Sequence, residues 1–202
     1  MFRLLILAGL PVGVVAGTSA SPVPKPRIKE SELYYPTRVG TKWVEEHESR
    51  GEVHAVITKS EIKGDSRHVH VAYSFKDGTQ CSTLRIAVSE RGVYRLAVND
   101  QIDTPPVCWL KLPFKHGDSW DSFGFHHVVG RPEEIQVPAG KYRAIPVELS
   151  WSLLCGQMAD GGGHGLAGLR FSSTRWFAPG VGMIRQVNGA DFVMKSLTPV
   201  KG

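Results

Sequence analysis

Pro146-Val147-Glu148-Leu149-Ser150-Trp151-Ser152-Leu153 decides the fold class of this chain. Val147, Leu149, Trp151 and Leu153 alternate with Pro146, Glu148, Ser150 and Ser152. A period of two puts successive side chains on opposite faces of a strand. The same reading extends outward. Val69, Val71, Tyr73 and Phe75 alternate with His68, His70, Ala72 and Ser74, and Leu84, Ile86 and Val88 alternate with Thr83, Arg85 and Ala87. Turn signals separate such runs, with Asp77-Gly78 and Asn188-Gly189 the sharpest hairpin cues. No window carries an apolar stripe at helical spacing with caps. The expectation is an all-β chain of about eight to ten strands, mainly antiparallel, whose sheet curls into a half-barrel or barrel.

A short pattern occurs twice. Pro36-Thr37-Arg38-Val39-Gly40-Thr41-Lys42-Trp43 and Pro113-Phe114-Lys115-His116-Gly117-Asp118-Ser119-Trp120 both read P-x-x-x-G-x-x-W. Pro and Gly punctuate a turn, and the Trp three residues on opens a strand with a large apolar anchor. Two similarly started sheet segments follow from it.

The first residues read as a processing signal. Met1-Phe2-Arg3 supplies a positive charge, Leu4 to Gly17 is an apolar run of signal-peptide length, and Thr18-Ser19-Ala20 offers small residues for cleavage. A spanning helix needs about 20 apolar residues, and Pro11 interrupts this run. No Cys follows the run, which argues against a lipid-modified N-terminus. Residues 1–20 are therefore expected to be a signal peptide, with no membrane span after cleavage. Residues 21–30, with Pro22, Pro24 and Pro26, are read as an extended arm, and 31–202 as one β domain. The expected location is periplasmic or extracellular.

The formal charge of +5 falls to +4 once Arg3 leaves, and the charges are interspersed by sign. Nucleic acid would demand a clustered basic stripe, so that partner is excluded. Cys81, Cys108 and Cys155 are far apart and form no C-x-x-C pair. In an exported chain they fit either one disulfide with a spare thiol or three small buried residues.

Three segments together resemble a group of uncharacterised exported bacterial proteins. Leu33-Tyr34-Tyr35-Pro36 through Trp43 is similar to their opening. Val137-Pro138-Ala139-Gly140-Lys141-Tyr142 is similar to their "VPAG.Y" hairpin, and Trp176-Phe177-Ala178-Pro179-Gly180-Val181-Gly182 to their closing "WFAPGVG". The resemblance covers the mature domain in order and spacing. It implies a curved antiparallel sheet, similar in outline to the periplasmic lipoprotein-carrier half-barrels, and it implies no catalytic residue and no cofactor.

The site candidates are few. His68 and His70 share one strand face and fit a zinc pair, with His54 or His47 as a third ligand; otherwise they form the solvated face opposite Val69 and Val71. His126 and His127 must point opposite ways. His164, in Gly161-Gly162-Gly163-His164-Gly165, lacks the Lys-Ser/Thr that a phosphate-binding loop requires. Glu45-Glu46 and Glu133-Glu134 diverge on a strand and read as solvated. No activated Ser or Cys context is present. The aromatics remain, and they exceed what one face of a flat sheet hides. Trp43, Trp120, Trp151 and Trp176 either pack as core or line a concave apolar groove. The leading expectation is an exported, non-enzymatic protein that binds an apolar ligand, lipid or lipidated polypeptide there. The alternative is a structural or protein-interaction module of the cell envelope, and a metal-dependent enzyme centred on His68 and His70 comes third.

Overall fold

The computed structural model describes residues 33–152, 170–188 and 191–200. The leader, the proline arm, the glycine-rich stretch with His164, Cys155 and Gly189 lie outside them. Among the described residues there is no helix.

Thirteen strands form one antiparallel system: β1 (Lys42–His47), β2 (Gly51–Lys63), β3 (Ser66–Phe75), β4 (Gln80–Ser89), β5 (Gly92–Val98), β6 (Gln101–Lys111), β7 (Ser119–Ser122), β8 (Phe125–Val129), β9 (Glu133–Val137), β10 (Gly140–Ser152), β11 (Arg170–Ala178), β12 (Gly182–Val187) and β13 (Phe192–Thr198). Their order is β6-β5-β4-β3-β2-β1-β13-β12-β11-β10-β8-β7, with β9 paired to β10 alone. The first half is a meander from β1 to β6. The second runs from β7 to β13, and β1 pairs with β13 to join the halves.

The expected eight to ten strands is thus corrected to thirteen among the described residues. The additional ones carry no clean alternation: β7 is Ser-Trp-Asp-Ser, β9 opens with Glu133-Glu134, and β6 contains Pro105-Pro106. Those prolines also explain how the barrel ends. Proline donates nothing to a ladder and is confined to edges, and β6 is an edge strand whose pairing with β5 is irregular on both sides of Arg95. Its neighbour across the seam, β7, is only four residues long. Side chains bridge the two edges instead. The Cys108 N–H donates to Ser122 Oγ at 2.8 Å, and Trp120 Nε1–H donates to the Cys108 carbonyl at 3.2 Å. The sheet is a nearly closed barrel.

Both copies of the Pro/Gly/Trp pattern build the same turn. Gly40 and Gly117 take φ of 87° and 88°. The Gly40 N–H donates to the Ile57 carbonyl and the Gly117 N–H to that of Val129, each at 2.8 Å. In each copy the following N–H returns to the third residue of the pattern, Thr41 to Arg38 and Asp118 to Lys115. Trp43 and Trp120 are then delivered buried to the barrel interior.

The inward faces carry the alternating residues: Ile57 on β2, Val69 and Val71 on β3, Ile86 and Val88 on β4, Val147 and Leu149 on β10, Phe177 on β11 and Met194 on β13. Burying each such side chain is worth roughly 1.5–3 kcal/mol. At the Asp77-Gly78 turn, Asp77 Oδ1 accepts the Thr79 N–H at 2.8 Å and Gly78 adopts φ 87°.

Candidate ligand pocket

The apolar filling does not occupy the whole interior. A pocket of about 310 Å³ remains, bounded by inward-facing side chains of β1 to β6 and β11 to β13. That volume lies at the lower end of the range typical for small-molecule sites. Its aromatic wall is ordered edge to face. Tyr35 meets Trp43 with centroids 6.2 Å apart and planes at 90°, and Trp43 meets Tyr73 at 6.2 Å and 87°. Leu84, Met183, Phe192 and Met194 extend the apolar lining.

Because neighbouring strands are antiparallel, the turns β1–β2, β3–β4, β5–β6, β7–β8 and β12–β13 all fall at one end of the barrel. Arg50 and Val98 bring the pocket to that end. Apolar side chains collect there too: Phe75, Ile102, Phe123, Trp151 and Phe171 are all exposed, Ile102 and Phe123 by 69% and 68%. Phe171 packs edge-on against Phe125 at 6.1 Å.

Two polar groupings stand against this wall. On β1, Trp43, Glu45 and His47 share the inward face. Glu45 Oε1 accepts the Trp43 indole N–H at 2.8 Å, and Glu45 Oε2 lies 2.9 Å from His47 Nε2. Glu45 is buried, contrary to the solvated reading of the Glu45-Glu46 pair, whereas its neighbour Glu46 pairs with Lys195 on the outer face. Burial, and secondly the Glu45 charge, drive the Tyr35 hydroxyl pKa far above the phenol range. Tyr73 is raised as well, by burial first and then by Tyr35 and Glu45.

Arginines make the second grouping. Arg95 on β5 holds Asp103 through two bonds, Nε at 2.9 Å and Nη2 at 3.0 Å, and its Cζ lies 5.4 Å from the Phe123 ring centre. Arg175 on β11 donates through Nε to Gln186 Oε1 on β12 at 2.9 Å. Burial and then the nearby Arg95 charge push the Arg175 pKa down to about 10.

The tryptophans singled out from sequence are dispersed. Trp43 lines the pocket. Trp120 stacks on His127 at the β6–β7 seam. Trp151 stands 38% exposed at the end of β10. Trp176 is on the outer face, where its Nε1–H donates to Glu133 Oε1 at 2.6 Å and Arg185 covers its ring. His68 and His70 occupy the outer face of β3, and both pKa values are lowered, mainly by partial burial. Neither suggested third ligand reaches them. His54 lies opposite Ser74 and pairs with Glu52, and His47 points into the barrel. Among the described residues no group of three His, Cys, Asp or Glu is placed to hold a metal. Cys81 and Cys108 are free thiols, and burial pushes the Cys108 pKa up to about 11.

Arg95, Arg175 and Gln186 escaped the sequence reading, which named Glu45 only as a solvated residue. For the two arginines a signal was present: Val93-Arg95 and Ser173-Arg175-Phe177 each place a cation in phase with buried residues of a strand.

The fold and the pocket define a class, antiparallel β-barrels with an interior, partly polar cavity. No protein-family model matches the chain, and no curated protein matches it. Two solved structures share the fold. One is a "putative lipoprotein" from Parabacteroides distasonis ATCC 8503, and the other is a "putative exported protein with YmcC-like fold" from Bacteroides fragilis NCTC 9343. Each aligns with a TM-score of 0.55 at 12% identity, covering 83% of this chain and 99% of the other.

Proposed function

We propose that this chain is an exported, non-enzymatic binding protein that carries an apolar ligand or lipid in its barrel. One observation carries the reading: an aromatic-walled cavity of about 310 Å³ reaches, through Arg50 and Val98, the end of the barrel at which Phe75, Phe123, Trp151 and Phe171 stand exposed. A cavity walled by apolar rings favours transfer of apolar surface out of water. Of the tryptophans singled out from sequence, Trp43 is the one that contacts the ligand, and Trp109 lines the same pocket. Export is supported by the leader-like residues 1–20 and by fold neighbours described as a lipoprotein and an exported protein.

Native mass spectrometry of the chain from Ser21, exported and purified without detergent, tests the reading. A discrete adduct of lipid mass is expected, and a bare polypeptide mass counts against it. A second reading, a protein-interaction module of the envelope, draws on the exposure of Ile102 and Phe123. Loss of binding to envelope extracts in Ile102→Ser/Phe123→Ser, without loss of the adduct, would favour it.

A further inference from the structure

We propose that the pocket takes an anionic amphiphile, its chain against the Tyr35–Trp43–Tyr73 wall and its carboxylate or phosphate head on the guanidinium of Arg175. This rests on the binding role proposed above and specifies the ligand's chemistry.

Arg175 is a cation on the inward face of β11, between buried Ser173 and Phe177. Its Nε is committed to a neutral acceptor, the Gln186 amide oxygen. Among the described residues no carboxylate forms an ion pair with it. The carboxylates nearby are already engaged: Asp103 is held by both bonds of Arg95, and Glu45 by Trp43 and His47. Arg95 itself adds a like charge, which acts with burial to disfavour the charged form of Arg175. A charge withdrawn from water without a counter-ion is a standing cost to the fold. An anion at this point offsets that cost, and the planar guanidinium fork presents paired donors that match a carboxylate or phosphate. The Glu45 carboxylate repels an anion from the β1 side, so the head is directed toward β11 and the chain toward the aromatic wall.

The experiment is calorimetric titration of the mature chain with decanoate, 1-decanol, acetate and inorganic phosphate. Decanoate is expected to bind roughly 10- to 100-fold more tightly than decanol, the scale of one charge-assisted pair. Acetate and phosphate, which lack a chain, are expected to bind far more weakly. Arg175→Gln removes the preference for decanoate and leaves decanol unchanged, and Arg175→Lys retains part of it. Equal binding of decanoate and decanol overturns the anionic assignment while the apolar pocket stands. Acetate or phosphate binding as tightly as decanoate overturns the amphiphile, because the wall then contributes nothing. If neither decanoate nor decanol binds, the binding role itself fails and takes this inference with it. Should Arg175→Gln not fold, the decanoate-to-decanol ratio of the unaltered chain and of Arg175→Lys decides the matter.

Discussion

The indole of Trp120 lies flat on the imidazole of His127, with ring centroids 5.0 Å apart and planes inclined by 14°. The same indole donates its N–H across the seam to Cys108. One side chain therefore packs the β7–β8 hairpin and ties it to β6, where no ladder does so. Trp120→Ala is expected to destabilise the fold by about 3–5 kcal/mol, as large buried aromatics do. Trp120→Phe keeps the stack, loses the bond, and is expected to cost about 1–2 kcal/mol. Urea unfolding measures both: no cost for Trp120→Phe would mean that the hydrogen bond adds nothing to the seam, and equal costs that the ring stack adds nothing.

Acid should weaken the same region. His127 is 1% exposed, and burial pushes its pKa from the ordinary 6.5 down to about 4. The folded pKa is depressed, so the unfolded chain takes up the proton first. The contribution is fully present above about pH 6.5 and is lost as pH falls toward 4. The loss is on the order of 3 kcal/mol across that window. Because carboxylates also titrate in acid, the measurement is the difference between the unaltered chain and His127→Phe in urea midpoints at pH 7 and pH 4.5. A parallel decline in both proteins would remove His127 as the cause.

Turn glycines differ in what they permit. Gly92 has φ 141°, and a Cβ there would stand 2.1 Å from the Leu110 carbonyl oxygen, a backbone atom of the paired strand. Gly78 has φ 87° with open space around it. Gly78→Ala is expected to cost only the left-handed conformation, about 1–2 kcal/mol. Gly92→Ala must also separate β5 from β6 and is expected to cost more than about 3 kcal/mol. Thermal unfolding of the pair checks the ordering, and similar melting temperatures would contradict it.

Alternation made β3 and the second half of β10 legible because one face is buried and the other more open, and it marked β4 although Ala87 and Ser89 are buried there along with Ile86 and Val88. It failed on β6 and β7 for physical reasons. Pro105-Pro106 reads as a break, yet an edge strand tolerates it, and the four residues of β7 are too few to establish a period. The repeated Pro/Gly/Trp pattern was legible down to its shared turn, since a positive φ and a hydrogen-bonded glycine N–H are local properties. The pocket was not. Arg175 meets Gln186 on the next strand and Arg95 from the other half of the barrel, and only the register and closure of the sheet bring them together. Tryptophan content pointed to an apolar interior without distinguishing Trp43, which faces it, from Trp176, which is covered from outside by Arg185.

Glu45 holds the β1 side of the pocket by accepting the Trp43 N–H. Glu45→Ala leaves that donor and His47 without their partner and is expected to cost about 2–3 kcal/mol. Glu45→Gln keeps an acceptor for Trp43 and is expected to cost less than half as much. It also withdraws the charge that, after burial, raises Tyr35 and Tyr73. The late, most alkaline part of the tyrosine titration followed by ultraviolet absorbance, to which Tyr35 and Tyr73 contribute, should move to lower pH in Glu45→Gln. An unchanged titration would show that burial alone sets those hydroxyls.

A cavity inside a barrel is either kept for an occupant or is a packing defect, and filling it separates the two. A dry void costs about 24 cal/mol per Å³, so a bulky side chain that enters one stabilises the fold. Leu84 lines the pocket from β4 with space before it. Leu84→Trp is expected to fold with stability unchanged or raised, because the added ring enters empty volume rather than overpacking a filled core. If the cavity is a ligand site, the same substitution removes the lipid-mass adduct expected in native mass spectra. A folded Leu84→Trp protein that keeps its adduct at full occupancy would place the ligand elsewhere, with the exposed collar of Phe75, Trp151 and Phe171 the next surface to mutate.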